Sequence, residues 1–242
     1  MKPTLIVIGA DKGGVGKTTV ARAMLNYFSD NNVLARAFDT EHPRGTLQRF
    51  HPDMTQVVDI TQTQDQMRII DTLNTAQVKV TVMDTRAGAL TTSLKALREV
   101  GFLDAAKAGE FNFVLFHILG PSIASLAEIA ETAPYVADAN YFLVKNYVND
   151  STFFDWDPAT TQAYFGKVKS SAEVTIPKLN AMAYEQVELA GVPFSTFIAN
   201  KTGAGEPAQH SFTLRGYVRT WQNKNAEEFN RIRLLDLAAG RT

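Results

Sequence analysis

An α/β architecture, with a mostly parallel, twisted sheet covered by helices on both faces, is what this sequence predicts, and three observations carry the prediction. Apolar runs of strand length recur at 5–8, 33–38, 78–84, 111–117 and 141–146, as expected of strands buried on both faces. Between them lie stretches with apolar residues at helical spacing, the first being Val20, Ala21, Met24, Leu25 and Phe28. With 242 residues and a 45% hydrophobic composition, the chain can bury a two-sided core as one domain, 1–242, built on about seven strands.

The first strand runs into Gly9-Ala10-Asp11-Lys12-Gly13-Gly14-Val15-Gly16-Lys17-Thr18-Thr19 and then into the first helix. Gly13, Gly14 and Gly16 permit a tight turn with inward N–H groups, so that loop and helix N-terminus form a concavity for a triphosphate. Lys17 brings a compact positive charge for the β- and γ-phosphates, and Thr18 a hard oxygen for Mg²⁺. Asp11 stands where the common pattern G-x-x-x-x-G-K-[ST] has its first glycine. The stretch satisfies instead K-G-G-x-G-K-T-T, with a second lysine, Lys12, ahead of the glycines.

In that form the sequence resembles the ParA/MinD family of deviant Walker A ATPases. The resemblance implies a three-layer P-loop NTPase (Rossmann-like) fold, ATP and Mg²⁺ as cofactors, and nucleotide binding by Lys12, Gly13, Gly14, Val15, Gly16, Lys17, Thr18 and Thr19. It also implies a catalytic role for Lys12, reaching across a dimer interface to the partner's nucleotide.

Run 33–38 ends at Asp39-Thr40-Glu41, where carboxylates cluster at the ligand side of an open parallel sheet. The family carries a D-x-D pair at this distance from the loop lysine. The resemblance therefore assigns Asp39 and Glu41 to Mg²⁺ and to the attacking water, without dividing the roles, because glutamate moves the second charge outward by one methylene. Run 78–84 ends in Asp84, by position a Walker B acid that holds Mg²⁺ together with Thr18. The following Thr85-Arg86-Ala87-Gly88 resembles the family's D-[ST]-P-A-G segment, with Arg86 in place of proline: either a solvated loop arginine or a contact to the γ-phosphate or a partner. Asn146 matches a strand-ending asparagine whose amide pairs with the adenine edge, a plain turn residue being the competing reading. Thr175-Ile176-Pro177 is similar to the short extended segment that places Pro177 beside the base.

The rest of the chain yields coarser expectations. A minor strand is expected at 56–60, and a helix at about 64–73 with Met67, Ile70 and Leu73 inward. Another helix runs through Leu90, Leu94, Leu97 and Val100; Ser122 is a helix N-cap; 151–171 is an aromatic helical excursion; and 194–198 is a late strand. Leu214, Tyr217, Val218 and Trp221 form a core-facing stripe, as do Phe229 and Ile232. His42 and His51 read as exposed loop residues, since nothing around them has metal-ligand spacing.

Composition narrows the function classes. A formal net charge of −1 argues against a globally basic nucleic-acid binder, and the lack of cysteine excludes disulfides, thiolate metal sites and a Cys nucleophile. The N-terminal apolar run is too short for a signal peptide, and no run approaches the ~20 residues that cross a bilayer, so a cytoplasmic chain without a membrane helix is expected. Family logic makes such a chain a switch that forms a homodimer on binding ATP and is reset by hydrolysis. The expected partners are a small activating protein and non-specific DNA, the latter at Arg215 and Arg219, four residues apart on a helix near Lys224, Arg231 and Arg233. A solvated helix surface is the competing reading of those arginines. DNA partitioning thus heads the expected functions, followed by positioning of a protein assembly such as a secretion, conjugation or cellulose-synthesis machine. An ATP-dependent amide-forming enzyme of the cobyrinate or dethiobiotin type comes last, because such enzymes do not require Lys12.

Overall fold

The computed structural model describes residues 2–148 and 171–239; the aromatic stretch with Phe153, Phe154, Trp156, Tyr164 and Phe165 lies outside them. The described strands are β1 (Thr4–Gly9), β2 (Ala35–Asp39), β3 (Thr55–Val57), β4 (Val80–Asp84), β5 (Asn112–Leu119), β6 (Asn140–Asn146) and β7 (Ser171–Ile176). They form one sheet in the order β3-β2-β4-β1-β5-β6-β7, and every neighbouring pair is parallel. The described helices are α1 (Lys17–Asp30), α2 (Thr46–Phe50), α3 (Thr63–Thr75), α4 (Leu90–Glu99), α5 (Phe102–Lys107), α6 (Ile123–Thr132), α7 (Ala181–Ala190), α8 (Phe194–Ile198), α9 (Phe212–Arg231) and α10 (Leu234–Ala238).

Every residue of β1 is buried. Ile6 and Ile8 enter a core shared with α1 and α7 to α10, whereas Leu5 and Val7 enter a second core shared with α3 to α6. A strand covered on both sides must be apolar at successive positions, which is why the strands were visible as continuous runs. Register then gathers the chemistry. Ile8 pairs with Asp84 across β1 and β4, and Asp84 pairs with Asp39 across β4 and β2, so both strand-end acids open on the edge where the glycine loop begins.

Several expectations need correction. The minor strand is β3, three residues long, and ends before Val58. Met67 and Val100 are 56% and 43% exposed, because α3 turns Ile69 and Leu73 inward and α4 ends at Glu99. Residues 194–198 form a helix, not a strand: Phe194 and Phe197, one helical turn apart, are both buried, and a five-residue apolar run has no period of its own to distinguish the two states. Tyr217 is half exposed, while Val218, Trp221 and Phe229 anchor α9. Ser122 occupies the N-cap position of α6, but its hydroxyl accepts from Lys12 instead of from the helix.

His51 is buried, contrary to expectation, at the C-cap of α2. Burial, helped by the charge of Arg22, holds its imidazole down to about 4, and its Nε2 has no partner. A base whose folded pKa lies below its unfolded value takes up a proton on unfolding, so its contribution is intact above the unfolded value of 6.5 and is lost as pH falls towards 4. Thermal melts are expected to decline over that interval. A His51→Gln variant should remove about 3 kcal/mol of the decline, at roughly 1.4 kcal/mol per pH unit; an unchanged slope would show that His51 does not titrate there.

Candidate functional site

The site is built where β1, β4 and β2 end. Gly14 and Gly16 adopt φ of 72° and 86°, a left-handed conformation that glycine enters without a Cβ clash. A Cβ on Gly16 would also strike the Asn146 amide. Gly16 is the N-cap of α1 and no side chain caps the helix, so its first N–H groups are left for an anion. Lys17 is buried beneath the loop, with Nζ donating to Lys12 O at 3.0 Å. Burial lowers the pKa of Lys17; the charges of Asp84, Glu128, Asp11 and Glu41 oppose that shift.

Thr18 Oγ1 donates to Asp84 Oδ2 at 2.7 Å. Asp84 is buried, its carboxyl is pushed up to about 8 by burial, and its Oδ1 has no partner; Thr85 Oγ1 beside it is likewise buried and unpartnered. Asp84 and Thr85 line a cavity of about 260 Å³ together with Gly14, Gly16, Lys17, Asp39 and Glu41 among others. Asp84 and Thr18 fit a divalent cation of the oxygen-seeking, water-retaining kind. Among the described residues no group of three or more His, Cys, Asp or Glu could hold a metal ion.

Asp39 and Glu41 separate in geometry. Asp39 Oδ1 accepts from Glu41 N at 2.9 Å, and Oδ2 accepts from Leu47 N and Gln48 N at 2.6 and 3.3 Å, so both oxygens serve the backbone that leads into α2. Burial raises the Asp39 pKa, and those backbone bonds oppose the rise. Glu41 lines the cavity and accepts from the Thr46 hydroxyl.

A second cavity, of about 250 Å³, adjoins the first through Thr19, Val148 and Tyr184, which line both. Asn146, Pro177, Leu179 and Trp221 form its mostly apolar wall. The Asn146 side-chain amide donates to Val15 O at 2.9 Å, and Pro177 O accepts from the Trp221 indole at 2.6 Å.

No protein-family model and no curated protein matches the sequence. Solved structures do. The septum site-determining protein MinD of Pyrococcus horikoshii, complexed with Mg-ADP, superposes with a TM-score of 0.57 at 14% identity, covering 98% of this chain and 99% of its own. The MinD cell division protein of Aquifex aeolicus gives 0.52 at 13% identity, covering 91% and 97%. The MinC:MinD cell division complex of the same organism gives 0.53 at 12%, covering 91% and 96%.

The fold is that of MinD. At these identities the likeness is one of fold, so what is particular to this chain has to be read from its own side chains. Lys12, the lysine ahead of the glycines, does not line the cavity of its own chain; it lies over Gly120 and donates to Ser122 Oγ at 2.9 Å. Asp11, the departure from glycine, is a tie that sequence reading missed. Its N–H donates to Glu128 Oε2 at 3.0 Å, its carbonyl accepts from Gly88 N at 2.7 Å, and its carboxylate accepts from the N–H and hydroxyl of Thr91 at the start of α4. Thr40, between the two acids, was also missed: its hydroxyl accepts from Arg86 N at 2.9 Å. Arg86 itself is exposed, and a proline in its place would have no N–H to give. No local motif announces any of these ties, since each partner is distant in sequence.

The arginines of α9 form less of a surface than their spacing promised. Arg219 is exposed, but Arg215 is half-buried, lies over the Phe212 ring and donates to Ile198 O at 3.3 Å. Arg231 pairs with Glu228 and Arg233 with Asp236, both at 2.8 Å. Arg215 and Arg219 therefore differ in exposure although they lie one turn apart on α9.

Proposed function

We propose that this chain is a Mg²⁺-dependent ATPase whose ATP-bound form is a homodimer, a nucleotide-gated switch of the ParA/MinD type acting as one domain in the cytoplasm. The observation that carries the reading is the buried, unpartnered Asp84 Oδ1, set beside the Thr18 hydroxyl and Lys17 at the mouth of a left-handed glycine loop. Thr18 and Asp84 would hold Mg²⁺, which would supply positive charge to offset that of the transferring group. Lys17 and the α1 N-terminus bind the phosphates, and the adjoining cavity of Asn146 and Pro177 takes the base. Asp39, whose oxygens hold α2, positions the segment that presents Glu41 to the attacking water. The MinD of Pyrococcus horikoshii being complexed with Mg-ADP supports the choice of ligand.

Lys12, lying off its own cavity, supplies the dimer test. Wild type should dimerise by light scattering on addition of a non-hydrolysable ATP analogue with Mg²⁺, and Lys12→Ala should bind the analogue but stay monomeric. A Lys12→Ala dimer of wild-type affinity would remove the cross-interface role.

For cargo, the internal pairing of Arg231 and Arg233 and the seating of Arg215 against α8 favour a protein assembly over DNA. DNA partitioning stays as the second reading on the strength of Arg219. It requires ATP-dependent binding of a random duplex that weakens steeply with salt. Among the described residues no helix is long and apolar enough to cross a membrane.

A further inference from the structure

We infer that Arg22 is a positioning residue that couples the base side of the cavity to the carboxylates on its phosphate side, an inference that rests on the nucleotide reading above. Arg22 lies one turn beyond Thr18 on α1, and its side chain is 2% exposed. Its guanidinium is sandwiched between the rings of Phe50 in α2, at 3.4 Å, and Phe194 in α8, at 4.4 Å. Nη1 donates to Glu188 in α7, while Nε and Nη2 are buried without a partner. Burial lowers the pKa of Arg22, and the Glu188 carboxylate counters it; Tyr184, Arg49 and His51 are the other ionisable groups facing it.

A guanidinium so enclosed is a poor means of filling a core, because apolar packing at equal volume is usually at least as stable. What it does achieve is contact with three elements, of which α7 lines the cavities and α2 and α8 touch residues that line them. Through Phe50 it seats α2, whose Leu47 and Gln48 N–H groups hold the Asp39 carboxylate. Through Glu188 it seats α7, where Tyr184, one turn earlier, lines both cavities. Through Phe194 it reaches Trp221, whose ring lies 5.0 Å from that of Phe194 and whose indole holds Pro177 at the base cavity. Two further bonds tie the same elements: Arg49 donates to Glu188 O, and Asn26, one turn beyond Arg22, accepts from Ser195 N. Close-packed contacts transmit displacement instead of absorbing it. A base that presses on Tyr184 or Trp221 therefore presses on the guanidinium that also seats α2 and, through α2, Asp39 and Glu41.

Arg22→Met tests this in the full-length chain. Methionine spans the gap between the rings, and the Glu188 side chain, 30% exposed, returns to water, so the fold is retained. Without nucleotide, amide exchange at Leu47, Gln48 and along α7 is expected to quicken at least tenfold, with β1 and β4 unchanged. ATP turnover is expected to fall about tenfold, whereas the affinity for inorganic triphosphate, measured by competition with a fluorescent ADP analogue, should stay within twofold. Glu188→Gln, which keeps the acceptor and loses the charge, should lie between. Unchanged exchange at Leu47 and Gln48 would overturn the coupling, as would a parallel loss of triphosphate affinity. A wild-type chain that binds neither ATP nor triphosphate would instead overturn the nucleotide reading, with the exchange data still deciding the mechanical link.

Discussion

Lys17→Ala is expected to abolish nucleotide binding while leaving the chain folded. The amine is buried beneath the glycine loop and held against Lys12 O; burial lowers its pKa, and the surrounding acids oppose that shift. A triphosphate entering the cavity brings charge to a point where water is largely excluded, and a single compact cation there replaces lost hydration. Its loss should weaken ATP and ADP by about 3 kcal/mol or more, over a hundredfold in Kd. Lys17→Arg should not rescue binding, since a planar fork does not occupy the site of a point charge. Because truncation also removes a desolvated charge, the melting temperature should change little. Titration with a fluorescent ATP analogue, alongside circular dichroism, decides the matter: binding within threefold of wild type would mean that the loop does not hold phosphate.

Asp84→Asn should move stability and activity in opposite directions. In the nucleotide-free chain its Oδ1 is a buried acceptor with no donor, next to the buried Asp39 carboxyl. Because burial pushes the carboxyl up to about 8, ionising it is costly, and an amide of the same shape avoids that cost, so above pH 8 the melting temperature should rise by a few degrees, corresponding to about 1–2 kcal/mol. The same change removes the anionic ligand that Thr18 and Asp84 would offer a divalent cation, and turnover should fall by at least about 10²-fold, roughly 3 kcal/mol of barrier. Mg²⁺ dependence of ATP affinity is the direct readout. A variant that is both less stable and less active would make Asp84 a structural strand-end residue, and one with unchanged Mg²⁺ dependence would take it out of the metal site.

The parts of the site that were legible in the sequence are those whose chemistry is local. Gly14, Gly16, Lys17 and Thr18 are contiguous, and their requirements, a left-handed turn followed by a cation and a hydroxyl, are met within one stretch of backbone. Asp39 and Asp84 were legible because a buried strand that ends in an acid marks the ligand edge of a parallel sheet. Asp11 was visible only as a mismatch, and its value appears when Glu128, 117 residues away, takes its N–H. Arg22 gave no signal at all, since Glu188 lies 166 positions on. Residues 194–198 were misread as a strand because five apolar residues carry no usable period, and His51 as exposed because nothing local shows that Arg22 and α2 enclose it.

The elements from β1 to β6 that carry a clear period, the two-sided burial of the strands and the glycine loop follow from the amino-acid sequence alone, because backbone conformation and hydrophobic period are properties of neighbouring residues. Which side chains meet follows only from the fold. The pairing of β4 between β1 and β2 brings Asp39 and Asp84 to the loop, yet strand order is set by packing across the whole chain and by no single segment. In the same way, the placement of Lys12 over Gly120 and the turning of Arg215 onto α8 depend on where α6 and α8 dock. Those positions are the sum of many weak contacts between residues far apart in sequence, and spacing along one helix does not contain them.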